Sequence, residues 1–250
     1  MTVFANMLLA LSLPFTGGGD ALCPDAHAEY RLNWTANIAN ERNAAGAPTM
    51  AFAMSPDGPA LPVEMKFHDP YHAFLFDFPK VAGTGTGALT LAQHLPDHRA
   101  ATRVEFLFNR HVTNLTIGVE DLDASTQFNA PYVDRIDLGG ATATSSHVVE
   151  PFITQNGATR AQSEARRALR NRLGRNTPTE VTPRHNGPFV AESHASLTAM
   201  FETPVSYVAL RFGSDPDRFP ADRFAPRPGR QDLTITDVRF CVPFGSRVGD

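Results

Sequence analysis

The chain of 250 residues is 42% hydrophobic and 19% charged, a balance that excludes bulk disorder and leaves room for one large all-β domain or two smaller ones. Its net charge of −4 and pI near 6.1 give it no general attraction for polyanions, so nucleic acid is not an expected partner. Eighteen Phe against one Trp and four Tyr supply the bulk a sandwich core needs, and the excess of Arg over Lys, twenty to two, reads as genome composition.

Residues 4–15, "FANMLLALSLPF", form an apolar run of signal-peptide length, too short to span a bilayer. Gly19-Asp20-Ala21 places small residues at a cleavage site, which gives a signal peptide over 1–21 and one β-sandwich domain over 22–250. Ala26–Ala28 is a second cleavage candidate. The basic segment that usually opens a signal peptide is missing, and the alternative is a buried N-terminal strand or helix. Leu22 before Cys23 makes a poor lipoprotein site. No later segment approaches a transmembrane helix, so the expected location is secreted, periplasmic or cell surface.

The two cysteines, Cys23 and Cys241, stand near opposite ends of the mature chain. In an exported protein they read as one disulfide closing nearly the whole domain; two buried thiols are the alternative. Cleavage after Ala28 would remove Cys23 and the disulfide with it.

Between the cysteines, period-2 alternation recurs with turn signals between segments. Tyr30, Leu32 and Trp34 share one face of a first strand, and Met50, Phe52 and Met54 one face of a second, ended by "SPDGP". Phe74, Phe76 and Phe78 mark a third, bounded by Pro70 and Pro79. Val104, Phe106 and Phe108 precede Leu115, Ile117 and Val119; Ile136 and Leu138 follow. Leu233 and Ile235 alternate, then Val238 and Phe240 resume out of phase, which predicts a β-bulge near Asp237. "FNRHVTNLTIGVED" from Phe108 and "FETPVSYVALRFGS" from Phe201 superpose without a gap. Each reads as a strand end, a short turn and a returning strand, placed equivalently in two packed sheets; chance similarity of amphipathic hairpins is the alternative.

One segment departs from the pattern. Ala158–Arg175, "ATRAQSEARRALRNRLGR", is rich in Ala and Arg and has Gly174 as a C-cap, which predicts a short surface helix inside an inserted loop over 156–190. Arg166, Arg167 and Arg170 lie at helical neighbour spacing. They form either a solvated face over a sheet edge or a contact for an anionic glycan, a lipid or a protein partner.

Cys23, "RLNW" at 31–34, "FNRHVTNLTIGVEDLD", Asp215-Pro216 and "LTITDVRFC" ending at Cys241 together resemble a domain that recurs in secreted and surface-exposed bacterial proteins, among them repetitive adhesin-like chains and proteins with sorting signals. The motifs are short but span nearly the whole mature chain. The resemblance implies an all-β fold, a two-sheet antiparallel jelly-roll-like sandwich, exported, with a terminal disulfide and no established catalytic activity. The chain departs from that pattern in lacking a C-terminal sorting helix and in carrying the arginine-rich insertion.

The strand at Leu115–Val119 runs into acids. Continued alternation turns Asp121 and Asp123 inward, and Asp134 shares the parity of Ile136 and Leu138. Residues two apart on a strand lie about 6.5–7 Å apart on one face, so one hard cation can bridge them. With carbonyls of the loop "ASTQFNAPY", Asp121, Asp123 and Asp134 form a candidate calcium site, calcium needing about 6–8 oxygens. The alternative is hydrogen bonding to loop amides, or pairing with Arg135 or Arg110. The turns "HDPYH" and "HLPDH" hold His68, His72, His94 and His98, but Pro70 and Pro96 deny them helical convergence on zinc, and solvated loop histidines are expected. "GTGTG" at 83–87 lacks the ending of a phosphate loop and reads as a turn. No nucleophile elbow or metalloprotease motif occurs, and Glu105, Glu120 and Asp121 offer only a weak acid pair for glycoside hydrolysis.

The expected function is therefore an exported, non-catalytic binding or adhesion module, with calcium as a stabilising cation, that recognises a glycan or protein partner at the cell surface. A structural subunit of a surface or envelope assembly, docking or self-associating through its arginine-rich helix, is the second expectation.

Overall fold

Alternation of apolar and polar residues, the pattern a half-buried strand requires, sets the architecture throughout. The computed structural model describes residues 23–34, 48–56, 58–75, 79–82, 87–125, 130–142, 149–155, 158–161, 195–215 and 226–245. Every regular element among them is a β-strand. In chain order these are β1 (His27–Asn33), β2 (Pro48–Ser55), β3 (Gly58–His68), β4 (Lys80–Ala82), β5 (Ala88–His94), β6 (Ala101–Leu122), β7 (Ala124–Ser125), β8 (Tyr132–Ala141), β9 (Phe152–Gln155), β10 (Ala158–Ala161), β11 (Ala195–Phe201), β12 (Val205–Ser214) and β13 (Arg230–Pro243). All of their pairings are antiparallel.

The 22-residue strand β6 organises the rest. Its first part, Arg103–Leu107, pairs with β3 on one side and β12 on the other. Its second part, from Thr113 to Glu120, pairs instead with β13 and β11. The change of partners falls where Asn114 takes φ 50°, a left-handed turn of the backbone that Asn tolerates better than most residues. Register shifts at Val205/Tyr207 and Arg239/Cys241 sit at the same place in the neighbouring strands. Strands β2-β3-β6-β12-β8 thus form one layer and β9-β11-β6-β13-β5-β4 the other, with β10 beyond β9 and β1 joining β2 to β13. The result is a sandwich-like antiparallel body in which β6 belongs to both layers.

Side chains of both layers meet in one hydrophobic cluster. Val63, Met65 and Phe67 of β3, Val104 and Phe106 of β6, Leu210 and Phe212 of β12 and Ile235 and Phe240 of β13 all belong to it. Trp34, fully buried, meets Phe106 edge-on at 6.4 Å, and Phe108 meets Phe240 edge-on at 5.1 Å. Burying each such side chain contributes about 1.5–3 kcal/mol. Cys23 and Cys241 form a disulfide with Cα atoms 5.5 Å apart. It ties the residues before β1 to β13, where Glu29 is already opposite Cys241.

Several expectations are corrected. Phe108–Asp121 is no hairpin but part of continuous β6, whereas its counterpart Phe201–Ser214 does turn between β11 and β12. The two segments run antiparallel side by side and cross between layers together, Phe201 opposite Leu115 and Val205 opposite Val112. In β2 the core-facing residues are Ala51 and Ala53, leaving Met54 47% exposed. The first four residues of the expected arginine-rich helix, Ala158–Ala161, are strand β10 paired to β9. Its remainder, with Arg166, Arg167 and Arg170, lies outside the described residues, as do residues 1–21, Phe76 and Phe78. One expectation in this region holds: the phase change near Asp237 is a β-bulge, with the register shifting between Ile235 and Asp237.

Candidate functional site

Two groups of polar side chains stand where a strand would ordinarily place apolar or solvated ones. The first is the acidic rim at the end of β6. Asp121 has φ 64°, which breaks the alternation and gives the buried position to Leu122. Asp121 therefore turns to β13, where its Oδ2 accepts from Thr234 Oγ1 at 2.6 Å. Asp123 and Asp134 do come together. The Asp134 N–H donates to Asp123 O at 2.9 Å, and the Asp123 N–H donates to Asp134 Oδ2 at 3.1 Å. Asp134 Oδ1 accepts from Gln231 Nε2 at 2.7 Å.

Burial pushes the Asp134 carboxyl well above the usual carboxylate range, and the charge of Asp123 adds to this against the hydrogen bonds from Asp123 N–H and Gln231. Burial, then the charges of Asp123 and Asp134, likewise push the Tyr132 phenol up. Asp123 Oδ1 and Gln231 Oε1 are buried with no hydrogen-bond partner. Arg135 does not neutralise these acids; it pairs with Asp137 at 2.9 Å and Asp215 at 3.5 Å. Among the described residues, no three His, Cys, Asp or Glu side chains gather closely enough to hold a metal ion.

The second group lies on the outer face of the β3-β6-β12-β8 layer. Even positions of β6 from Thr102 to Phe108 face the core, so Arg103, Glu105 and Leu107 face out, as do His68, Lys66 and Glu64 of β3 and Arg211, Ala209 and Tyr207 of β12. Glu105 is nevertheless buried, 8% exposed, because its neighbours close over it. Tyr207 Oη donates to its Oε1 at 2.8 Å. Arg103 Nη2 lies 2.8 Å from Oε1, and His68 Nε2 lies 3.0 Å from Oε2, close enough to pair when the imidazole is protonated.

Burial alone would raise the Glu105 pKa, but the contacts with Tyr207 and His68 and the charge of Arg103 outweigh it and hold the carboxyl below its ordinary value. Burial, then the bond to Glu105, pushes the Tyr207 phenol up to about 12. Glu105 is therefore a fixed negative charge that orients three donors and is ill suited to giving up a proton. Beside this network lies a trough of about 470 Å³ lined by His68, Asp69, Pro70, Ala101, Thr102, Arg103 and Arg211. Asp69 closes one end, its carboxylate accepting from the N–H groups of Ala73 at 2.7 Å and Phe74 at 2.9 Å.

Sequence reasoning named Glu105 and His68 separately and missed their junction. The turn between His68 and His72 gave no sign that β3, already paired with β2, takes β6 as its other neighbour. The signal that existed was parity, since Arg103 and Glu105 alternate with Val104 and Phe106. The other histidines part company. His72 and His94 are exposed, whereas His98 is buried, Nδ1 at 2.8 Å from Ser214 Oγ and Nε2 at 3.0 Å from Pro226 O. Burial lowers its pKa, and a neutral ring that donates from Nε2 and accepts at Nδ1 satisfies both contacts.

No family model matches the sequence, and no curated protein matches it. No helix among the described residues is long and apolar enough to cross a membrane.

Proposed function

We propose that the chain is an exported, non-catalytic binding module, a jelly-roll-like sandwich that holds a glycan in the trough on its outer sheet face. The observation that carries this reading is the trough itself. Its volume of about 470 Å³ falls in the range of sites for small ligands, and its donors are held in place by strand backbone and by Glu105 beneath them. Fixed polar groups on a rigid sheet suit a hydroxyl-rich ligand, because little side-chain freedom is lost on binding.

Among the described residues, the two carboxylates nearest the trough are both committed elsewhere. Glu105 is held ionised by Arg103, His68 and Tyr207, and Asp69 caps two backbone N–H groups. Neither is free for the acid and base work of a glycoside hydrolase, which favours binding over turnover. The disulfide favours an oxidising compartment, in keeping with export by the apolar leader and display at the cell surface.

Calcium belongs to this reading as a stabiliser of the acidic rim. Support comes from two buried oxygens without hydrogen-bond partners, Asp123 Oδ1 and Gln231 Oε1, on the two residues that bond the Asp134 carboxyl.

The test is a glycan array probed with the mature protein, alongside Ala101→Phe and Ala101→Trp variants whose bulk fills the trough floor. Sugar binding by the native chain that these variants lose is the expected result. An array that returns no sugar, or binding that survives both variants with the fold intact, ends the reading.

A further inference from the structure

Arg103 and Arg211 stand directly opposite each other on β6 and β12, and His68 stands opposite Arg103 on its other side. Like charges in directly opposed positions destabilise a sheet unless something offsets them. Arg103 has its counter-charge in Glu105, 2.8 Å away. Among the described residues Arg211 has none. Its Nη2 donates to the main-chain oxygen of Arg99 at 3.3 Å, which orients the guanidinium without neutralising it. Asp137, opposite Arg211 on β8, bonds Arg135 Nε at 2.9 Å instead. The Arg99 side chain is likewise in no ion pair among the described residues.

The shape around Arg211 is as particular as its charge. A second, smaller concavity of about 30 Å³ adjoins the trough, lined by Arg99, Ala101, Arg135, Asp137, Arg211 and Gly213 among others. Ala101 and Arg211 line both hollows. Ala101 and Gly213 face each other across β6 and β12 and keep the floor low. A Cβ at Gly213 would come within 2.8 Å of Ala100 O, so that floor cannot be raised without moving backbone. One oriented guanidinium, in no ion pair among the described residues, thus stands at the junction of two hollows, with a second arginine, Arg99, beside it and Asp137, already bonded to Arg135, across from it.

The geometry points to an acidic glycan as the ligand, a sugar bearing a carboxylate that seats on the Arg211 guanidinium while its hydroxyls occupy the trough. This rests on the glycan-binding reading above and names its ligand class. A planar guanidinium receives a carboxylate through two parallel N–H donors, and the pinned Arg211 keeps its remaining donors for that purpose. The carboxylate also gives Arg211 the ion-pair partner it lacks among the described residues.

An array of uronic-acid and sialic-acid oligosaccharides, each beside its methyl ester and a neutral counterpart, tests the inference. The acids should bind at least about tenfold more tightly than their esters at low salt, with the advantage shrinking as ionic strength rises. Arg211→Gln should abolish the difference between acid and ester without lowering the melting temperature, and Arg211→Lys should restore only part of it. Arg230→Gln, an exposed arginine paired to Asp232, should leave it unchanged. Esters or neutral sugars binding as tightly as acids, or a preference that survives Arg211→Gln, would overturn the acidic ligand and leave a glycan-binding trough standing. Silence across the whole array ends both.

Discussion

Gln231 Nε2 donates to Asp134 Oδ1 at 2.7 Å, joining the start of β13 to the start of β8 through two side chains that water barely reaches. Because burial and the charge of Asp123 push the Asp134 carboxyl well above the usual range, the folded chain keeps a proton that the unfolded chain releases near pH 4. The stability linked to this group is therefore greatest below about pH 4 and declines as pH rises toward the folded value. Asp134→Asn cannot ionise and keeps one acceptor, so its stability relative to the native chain should improve steadily as pH rises above about 4. Asp134→Ala strands the Gln231 amide and the Asp123 N–H, at a cost of about 1–3 kcal/mol. Urea midpoints measured from pH 4 to 8 check both, and two parallel curves for the native and Asn chains would refute the protonated carboxyl.

The same rim predicts how the chain should respond to calcium. A cation that recruited the Asp134 carboxylate together with Asp123 and Gln231 would displace the Asp134 proton, so its affinity should rise with pH. Melts with millimolar calcium should run several degrees above melts with chelator, and Asp123→Asn should remove the difference. Asp121→Asn should not, since Asp121 is engaged by Thr234. Equal melting temperatures with and without chelator dismiss the metal.

The contrast between Asp121 and Asp134 shows what the sequence could carry. Alternation correctly turns Asp134 inward with Ile136 and Leu138, because a regular strand preserves parity. It fails at Asp121, where a single left-handed residue flips every later side chain. Parity also failed to say which face of β2 was buried, since Ala51 and Ala53 are apolar but small while Met54 is bulky and exposed. Both alternating series were hydrophobic. The Glu105 network was hidden for a different reason. It is built from β3, β6 and β12, segments whose adjacency depends on long-range pairing that local patterns do not encode. Cys23 and Cys241, in contrast, were legible because two cysteines permit only one internal pairing.

That disulfide spans 218 residues of sequence, so breaking it frees the unfolded chain greatly. The chain-entropy model gives up to about 5.5 kcal/mol for a loop of this length. The double substitution Cys23→Ser and Cys241→Ser should lower the melting temperature by more than about 10 °C for a domain of this size, and reductant should do the same to the native chain alone. Cys241 is fully buried beside β1 and β6, so reduction should be slow until the strands open. A native chain whose melt ignores reductant would show the bond absent in the mature protein.

Glu105 should show the opposite pH response to Asp134. Its carboxyl is held below its ordinary value because Tyr207, His68 and Arg103 together outweigh burial. Its contribution is thus present above the unfolded value near 4.3 and is lost as pH falls through the folded one. Glu105→Gln keeps an acceptor for Tyr207 but offers no charge to Arg103. It should cost about 1.5–3 kcal/mol at pH 7, with the deficit closing as the medium is taken below pH 4. The phenol of Tyr207, pushed up to about 12 by burial and by Glu105, should titrate closer to the ordinary value of about 10 in the variant. Ultraviolet titration of tyrosine ionisation, run beside urea midpoints at pH 3 and 7, reads both effects at once. A deficit of equal size at the two pH values would mean that Glu105 acts through packing alone, and that the donors lining the trough are not held by its charge.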